Sequence, residues 1–445
     1  MRLPRRDPAG AGQTRTTRIA ADTILAGMVD PLRTALLDAR ARTLALVEDL
    51  DDARWLGPRL EIVNPFLWEV GHLGWFQEYW TLRHVRGRPP LLPQGDELYD
   101  SAKVAHDTRW DLPLLPRREV LAYLAAVLER ALEVLGSAPD ERRYFHQLAL
   151  FHEDMHGEAL VYTRQTLGDP APRLAGLGES DADGGPLPGD VEVPGARVLL
   201  GAQASEAFVF DNEKWAHPVD VGHFRIARAP VTNAQFAEFV EAGGYRDERH
   251  WSAPGWRWRE GSGAGHPVYW RRAYGGGWQE RQFAAWKPLA PHRPVSHVCW
   301  YEAEAFCRWA GRRLPTEAEW ELAAATPEKR RFPWGEADPD ARLANLDGRA
   351  SGTVDVGACA AGDSAYGCRQ MIGNVWEWTA SAFAPYPGFV VDPYKEYSEP
   401  WFHSPHQVLR GGAWATRGRL LRNTWRNFYP PDRRDVLAGF RTCAT

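Results

Sequence analysis

Residues 141–167, ERRYFHQLALFHEDMHGEALVYTRQTL, predict one long helix that decides how the first half of this chain folds. Three earlier stretches with apolar residues at helical spacing are residues 30–50, 64–85 and 116–135. Asn64 and Pro65 favour the start of the second helix, with the asparagine as N-cap and the proline in the first turn. Four long helices with one long connection, residues 86–115, predict an N-terminal four-helix bundle.

The fourth predicted helix contains the motif HEDMH at residues 152–156. Two histidines at i and i+4 lie ~40° apart around a helix, so both imidazoles can reach one metal ion. A third histidine, His72, lies in the middle of the second helix, and Gly71 and Gly74 leave room there for a close approach. Bundle cores commonly hold metals on facing helices, and imidazole suits Fe, Zn, Cu or Ni. The predicted metal ligands are His72, His152 and His156.

Other interpretations of this motif stay open. The pattern HExxH also belongs to zinc metalloproteases, in which the glutamate, here Glu153, is the general base. A short motif also arises by chance, so the two histidines could simply lie near acidic residues without a metal. Glu153 and Glu158 could orient the ligating rings or could lie on an exposed face. His146, earlier on the same helix, could support the site or serve only in packing.

The composition limits the class of protein. A chain of 445 residues predicts at least two domains. The net charge of −5 argues against nucleic acid as the main partner. No apolar run approaches ~18 residues, so no membrane-spanning helix and no membrane partner are expected. The five cysteines form no CxxC pair, which favours a reducing compartment, and we expect a cytoplasmic protein. Residues 1–18 are expected to be a disordered tail.

The second half has a different pattern. Residues 169–193 are crowded with Gly, Pro, Asp and Ala and predict a linker. After it, short β-like runs lie among many Gly, Pro and Trp residues, namely residues 197–200, 224–227 and 408–410. Helices are predicted over residues 233–243 and 301–310 and from Thr316, where a capping box begins. This pattern predicts an α+β domain rich in loops, in which most of the 21 tryptophans are core.

Four ordered motifs in this half carry a family resemblance: RRLPTEAEWE at 312–321, GNVWEWT at 373–379, LRGGAW at 409–414 and GFR at 439–441. Together they resemble the formylglycine-generating-enzyme (sulfatase-modifying factor) domain, which has a C-type-lectin-like fold. Most of their Trp, Gly and Arg residues are expected to be structural. A true formylglycine-generating enzyme needs a pair of copper-binding cysteines, and residues 421–427 contain none, so that activity is not expected.

The first half resembles a DinB-like bundle. The resemblance implies an α+β protein with this bundle over residues 19–168 and the lectin-like domain over residues 194–445. The fusion, with its three histidines, resembles the ergothioneine-biosynthesis sulfoxide synthases and the related selenoneine synthases. The family would use Fe(II) and O2 to join sulfur or selenium to the imidazole of hercynine (trimethylhistidine), with small-molecule partners only.

The resemblance also implies roles for individual residues. The segment YKEYSEPWF at 394–402 matches the family's catalytic tyrosine segment, which makes Tyr394 the catalytic residue and places Tyr397 beside the substrate. A quaternary ammonium group needs aromatic faces. The candidates near the family's substrate loop are Trp414, Trp425, Phe428 and Tyr429.

The chain departs from relatives that use γ-glutamylcysteine. His106 and Arg109 stand where those relatives have two arginines, Phe428-Tyr429 replaces a Trp-Asp pair, and Met155 replaces a substrate-contacting glutamine. A histidine does not replace bidentate arginine recognition of a carboxylate. These changes favour a neutral selenosugar, or else free cysteine, as the donor.

Three alternatives remain. The first is the same reaction with γ-glutamylcysteine as the donor. The second is a zinc hydrolase, which requires Glu153 to face the metal-bound water. The third is a non-catalytic lectin-like binding module, which predicts that His72 points away from His156.

Overall fold

A computed structural model of the chain describes residues 30–137, 139–174 and 183–445. The predicted tail, residues 1–18, lies outside these ranges. Within them, no helix combines the length and the apolar character needed to cross a membrane.

The first half is helical. Its helices are α1 (Pro31–Ala45), α2 (Asp52–Leu56), α3 (Phe66–Glu78), α4 (Gly95–Tyr99), α5 (Arg117–Leu135) and α6 (Asp140–Leu167). A π-helical stretch, Tyr79–His84, extends α3. The four long helices pack together, with α3 against α5 and α6 and with α1 against α6. The predicted bundle is therefore confirmed.

The start of α3 differs from the prediction by one residue. The N-cap is Pro65, and it makes no side-chain capping bond. Asn64 is not a cap, because its amide donates to Glu69 Oε2 at 3.3 Å and its oxygen accepts from Arg109 at 2.6 Å. Arg109 therefore takes the side-chain oxygen that the capping bond suggested by the sequence would need.

Glycines let α3 lie close to its neighbours. A Cβ at Gly71 would lie 2.2 Å from the ring of Tyr99, and one at Gly74 would lie 2.9 Å from the ring of Tyr123. Both distances are too short for any side chain. The close approach predicted around His72 is therefore present, and the backbone of Tyr99 can reach the histidine ring.

The second half is an α+β domain. Its helices are α7 (Asn233–Glu241), α8 (Ala253–Ser262), α9 (Trp300–Trp309) and α10 (Glu317–Ala325). Thr316 caps α10 in the predicted box with Glu319. Short 3-10 turns are His106–Thr108 in the first half, and Asp211–Glu213, Glu248–His250, Ala360–Gly362, Lys395–Tyr397, Glu399–Trp401 and Gly418–Leu420 in the second. The helix α8 and the three-stranded sheet over residues 270–288 were not predicted.

The strands are short. They are β1 (Asp190–Val193), β2 (Ala196–Leu200), β3 (His217–Val221), β4 (Phe224–Ala227), β5 (Trp270–Arg272), β6 (Trp278–Gln282), β7 (Ala285–Pro288), β8 (Arg312–Arg313), β9 (Trp376–Ala382), β10 (Gln407–Arg410), β11 (Asn427–Tyr429), β12 (Ala438–Gly439) and β13 (Cys443–Ala444). They form the sheets β1-β4-β13-β8, β11-β10-β9-β12, β2-β3 and β5-β6-β7. In the second sheet β9, β10 and β11 are antiparallel, with Leu409 opposite Trp378 and Asn427.

The four sequence motifs hold this loop-rich domain together. Arg441 makes a bidentate pair with Glu377, with 2.6 Å at each oxygen, and both side chains are fully buried. Trp320 also donates to Glu377, at 2.8 Å. Arg410 donates to Glu317 at 2.7 Å. The arginine bridges expected from the motifs are therefore present in the core.

The two halves meet along α6. Glu158 accepts from Trp376 Nε1 at 2.7 Å and from the hydroxyl of Thr416. Asp154 accepts from Arg419 at 2.6 and 2.7 Å. Both carboxylates are buried and their partners belong to the second half, so the helix that carries HEDMH is fixed by both halves of the chain.

Candidate metal centre and active site

Three histidines converge between α3 and α6. One nitrogen from each of His72, His152 and His156 lies within 4.8 Å of the other two. His72 Nε2 and His152 Nε2 are 3.2 Å apart. A cation between two imidazole nitrogens at this separation could take a lone pair from each, so the arrangement suits a metal ion. His72 and His152 are buried, whereas His156 is partly exposed.

Two of the rings are oriented through their other nitrogen. His72 Nδ1 donates to the backbone oxygen of Tyr99 at 2.7 Å. His156 Nδ1 donates to Glu69 Oε1 at 2.9 Å. Each bond places the proton on Nδ1 and leaves Nε2 as a lone-pair donor, which is the usual arrangement around metal-ligating histidines.

The third ring, that of His152, is fixed by packing. It stacks on Phe76 with the ring centroids 3.5 Å apart and the planes 2° apart. Burial holds the pKa values of both His72 and His152 well below the usual range, and the neighbouring His156 lowers them further. Both rings are therefore neutral at pH 7, which is the form that binds metals.

The remaining members of HEDMH face elsewhere. Glu153 accepts from Arg40 at 2.8 Å and from Thr43 at 2.9 Å, both on α1. It therefore neither orients a ligating ring nor faces the space between the histidines, as the hydrolase alternative required. The reason is helix geometry, since a residue next to His152 lies roughly 100° away around the helix. Glu158 likewise contacts Trp376 and not a histidine.

A loop of the second half reaches the histidines. It connects β9 to β10 and carries Tyr394, whose ring lies edge-on to Phe76, with the centroids 4.9 Å apart. The ring centroids of Tyr394 and His152 are 6.3 Å apart. Burial raises the pKa of Tyr394, so its phenol keeps its proton at neutral pH.

Tyr397 lies on the same loop, in an aromatic cluster. Its ring stacks on Phe210 with the centroids 4.5 Å apart, and its hydroxyl donates to Met155 Sδ at 3.7 Å. Phe428 lies 6.1 Å from Tyr397 by ring centroids, and Trp425 lies 6.3 Å from Phe210. Four of the predicted substrate residues, Met155, Tyr397, Trp425 and Phe428, therefore lie together.

Two other candidates lie apart from this cluster. Trp414 packs edge-on against Phe283, with the ring centroids 6.4 Å apart, and in the described part of the chain its ring contacts none of the three histidines. Tyr429 lies under the guanidinium of Arg433, 5.2 Å from the ring centroid. Burial, together with the charge of Glu158, raises the pKa of Tyr429 to about 12.

Arg109 lies one aromatic layer from the metal centre. Its guanidinium carbon is 3.7 Å from the ring centroid of Trp68, and Trp68 stacks on His72 with the centroids 4.9 Å apart. Burial lowers the pKa of Arg109 to about 10, while the charge of Glu69 opposes the shift. Among the described residues Arg109 has no carboxylate as an ion-pair partner, and its buried Nε has no hydrogen-bond partner.

His106 is the more distant of the two candidate donor anchors. Its Nε2 donates to the backbone oxygen of Val63 at 2.7 Å, and its ring lies against Trp110. One of its two ring nitrogens is therefore already engaged.

Four residues near the histidines were not singled out from the sequence: Trp68, Glu69, Phe76 and Phe210. The first three stand four before, three before and four after His72, so helical spacing places them on the histidine's face of α3. That spacing could have identified them. Phe210 lies in irregular chain before the turn Asp211–Glu213, where no periodicity indicates a position.

Comparison with known proteins assigns each half of the chain to a family. Residues 176–445 match the family described as Sulfatase-modifying factor enzyme 1-like domain, and residues 35–162 match the DinB superfamily. The chain is 41% identical to the hercynine oxygenase of Mycolicibacterium smegmatis, covering 91% of this chain and 96% of that protein. It is 40% identical to the hercynine oxygenase of Mycobacterium tuberculosis over the same shares. The formylglycine-generating enzyme of Streptomyces coelicolor is 33% identical and covers 58% of this chain and 88% of its own length.

Proposed function

Since the chain belongs to the hercynine oxygenase family of oxidoreductases, we propose that it is an Fe(II)- and O2-dependent enzyme that forms a C–S or C–Se bond on the imidazole of hercynine. The observation that carries the proposal is the cluster of His72, His152 and His156 with Tyr394 beside it. The binding-module alternative predicted that His72 points away from His156, but their ring centroids are 5.1 Å apart.

Iron fits the residues that form the site. Three converging imidazoles, two of them kept neutral by burial, would hold a divalent ion and leave positions for other ligands. The ligands are His72, His152 and His156, and the iron supplies one-electron and O2 chemistry when bound. The chain holds the two substrates side by side, which replaces an improbable encounter by a positioned pair.

The Tyr394 loop supplies the other groups. Tyr394 holds a proton on a buried phenol near His152 and delivers it, or a hydrogen atom, to the reacting centre. The aromatic faces of Tyr397, Trp425 and Phe428 hold the quaternary ammonium of hercynine. Met155 borders this space through its contact with Tyr397.

The donor carries at most one carboxylate to this site. Of the two candidate anchors, only Arg109 has a guanidinium. His106 has an imidazole, and its Nε2 already donates to the backbone oxygen of Val63. Two carboxylates, as in γ-glutamylcysteine, would leave one without an arginine. A free cysteine would pair its single carboxylate with the buried Arg109. A neutral selenosugar would instead take hydrogen bonds from Arg109, whose charge would then be partnered, among the described residues, by Asn64, the Val104 carbonyl and the Trp68 ring.

We also propose the division of the chain into a metal-binding bundle, residues 19–168, and a lectin-like domain, residues 194–445, joined by a linker. The protein would act in the cytoplasm, where its five unpaired cysteines would stay reduced.

The test is anaerobic reconstitution with Fe(II), followed by O2, hercynine and one donor at a time: γ-glutamylcysteine, cysteine or a 1-seleno-sugar. Products are identified by mass spectrometry for the wild type, His72→Ala, Tyr394→Phe and the exposed control His223→Ala. A hercynine adduct with S or Se that is lost only in the first two variants supports the proposal, and the productive donor identifies the branch. The absence of any adduct, with iron bound, would reject it.

A further inference from the structure

The part of the β9–β10 loop around Tyr394 is held on both sides of the tyrosine by one carboxylate. Ser398 Oγ donates to Asp211 Oδ1 at 2.5 Å, and Asn212 Nδ2 donates to Ser398 Oγ at 3.1 Å. The backbone N–H of Asp392 donates to Asp211 Oδ2 at 3.5 Å. The two oxygens of Asp211 therefore join the residue four after Tyr394 to the residue two before it.

The same loop is tied to the helix of the metal centre. The carboxylate of Asp392 accepts from Lys214 Nζ at 2.7 and 2.8 Å. It also accepts from the hydroxyl of Tyr144 at 3.1 Å, and Tyr144 lies on α6, two turns before His152. This contact crosses between the two halves of the chain.

The anchor is buried and firmly supported. Ser398, Asp211 and Asn212 are 0%, 1% and 0% exposed. The backbone oxygen of Asn212 accepts from Arg426 at 2.7 Å. Hydrogen bonds in such surroundings are stronger than in water and fix geometry.

Tyr394 itself makes no comparable bond. In the described ranges its contacts are with rings, and no hydrogen bond of its hydroxyl is found. The position of its ring beside His152 is therefore set by packing and by the anchored residues on either side of it, Asp392 and Ser398.

We propose that Asp211 is a positioning residue that keeps the Tyr394 phenol beside His152 by joining the chain on either side of Tyr394, with Asp392, Lys214 and Tyr144 fixing this part of the loop to α6. The inference rests on the proposed function of Tyr394. Asp211 lies more than 180 positions before Tyr394 and outside every motif, and turnover would nevertheless depend on it.

The electrostatics of this anchor provide a separate readout. Burial raises the pKa of Asp211 to about 6, against the opposing effect of the Ser398 bond, and the negative charge of Asp392 raises it further. The other charged or titratable groups facing this carboxylate are Lys214, paired with Asp392, and the phenols of Tyr144 on α6 and Tyr397 on the loop. Protonation removes the negative acceptor, so turnover is expected to fall as the pH drops through about 6.

The first experiment compares kcat and KM for hercynine in iron-loaded wild type, Asp211→Asn and Ser398→Ala between about pH 5 and 8. The matched control is Ser252→Ala, whose hydroxyl makes the same 2.5 Å bond to a carboxylate, Glu304, away from the loop. We expect kcat to fall about 10-fold or more in both loop variants with bound iron and KM little changed, because misplacing a reacting group costs rate. Asp211→Asn should also lose the acid limb near pH 6.

The second experiment needs no turnover. Hydrogen–deuterium exchange of peptides covering residues 392–402 should rise in Ser398→Ala and stay at the wild-type level in Ser252→Ala, while peptides covering His152 remain protected. If the wild type forms no hercynine adduct but the exchange rises as expected, the anchor stands and the proposed function fails. If the wild type is active and the loop variants match Ser252→Ala in kcat, pH profile and exchange, the positioning role is rejected.

Discussion

Glu69 Oε1 on α3 lies 2.9 Å from Nδ1 of His156 on α6, so a carboxylate of one helix fixes the ring of a candidate metal ligand on another. Its second oxygen accepts from Asn64, which holds the carboxylate in place. A single substitution at Glu69 can therefore test whether this hydrogen bond supports metal binding by His156.

Removing the Glu69 carboxylate should weaken metal binding. In Glu69→Ala, His156 loses the bond that sets its proton and its orientation, and affinity for the metal should fall by about 10- to 100-fold. Glu69→Gln keeps an acceptor and should lose less. Chelator competition measures the affinity, with Glu129→Ala, an exposed substitution on α5, as control. A competition curve for Glu69→Ala that overlays the wild type would contradict the assignment.

Adding one methyl group at Gly71 should disturb the same centre. Gly71→Ala brings a carbon to 2.2 Å from the Tyr99 ring, so Tyr99 must move, and with it the carbonyl that orients His72. Overpacking of this kind typically costs 1–3 kcal/mol, and about that much is expected in urea unfolding. Gly157→Ala is the control, since its added carbon would meet only Leu46, at 3.8 Å. Equal stabilities of the two variants would refute the close-packing argument.

Arg109 should affect the binding of the sulfur or selenium donor and not the binding of hercynine. In Arg109→Met, a buried charge that could pair with a donor carboxylate is lost, while the iron ligands stay in place. If cysteine is the donor, its KM should rise by about 10- to 100-fold, because bonds to charged groups contribute about 1.5–3 kcal/mol. The KM for hercynine should not change. Arg59→Met, which removes an exposed arginine near Trp110, is the control. A rise in the KM for hercynine alone would place Arg109 at the other substrate.

His146 should make the fold sensitive to acid. It is fully buried, neither ring nitrogen has a hydrogen-bond partner among the described residues, and burial, assisted by Arg143 and Arg86, lowers its pKa from 6.5 to about 4. The folded state therefore binds fewer protons than the unfolded state below pH 6.5. The contribution of the neutral His146 ring to the free energy of unfolding is fully present above pH 6.5. It is lost as the pH falls from 6.5 towards 4, and the loss amounts to up to about 3 kcal/mol.

The measurement is the free energy of unfolding in urea at about pH 7 and pH 5. His146→Leu should lose less stability on acidification than the wild type, because it has no ring to protonate. The exposed His223→Leu should behave like the wild type. Parallel losses in all three proteins would show that His146 does not carry this pH dependence.

The Arg441–Glu377 pair should be essential to the second half. Both side chains are fully buried, so Glu377→Ala leaves a buried guanidinium without its counter-charge, which typically costs 3–5 kcal/mol. The exposed pair of Arg272 and Glu241 provides the contrast. Glu241→Ala should cost about 0–1 kcal/mol. Thermal unfolding checks both, and similar losses would contradict the distinction between them.

Local patterns were sufficient for part of this architecture. The periodicity around residues 152–156 predicted α6 to within one residue of its start, and the four motifs predicted the second domain. The spacing of His152 and His156, with His72 on another helix, predicted a cluster that the structure brings together. These features depend on contacts within one helix or on patterns long enough to be specific.

The rest depended on partners far apart in sequence. The expected cap at Asn64 was wrong because Arg109, 45 positions later, binds the side-chain oxygen that a cap would use. Neither alternative left open for Glu153, orienting a ligating ring or lying on an exposed face, holds, because Arg40, more than 100 positions earlier, takes its buried carboxylate. Asp211 had no signal at all, since it lies in a three-residue 3-10 turn and acts on a loop more than 180 positions later. No window of sequence contains both members of such pairs.

The hydrogen bonds of Glu158 to Trp376 and Thr416 make α6 part of the packed interior of both halves. Neither half could be expressed alone without exposing a carboxylate, an indole and a hydroxyl that are now satisfied inside the protein. A protease cut between the halves should accordingly leave two fragments that elute together, and a metal-binding bundle taken from this chain for use elsewhere would have to bring its lectin-like neighbour with it.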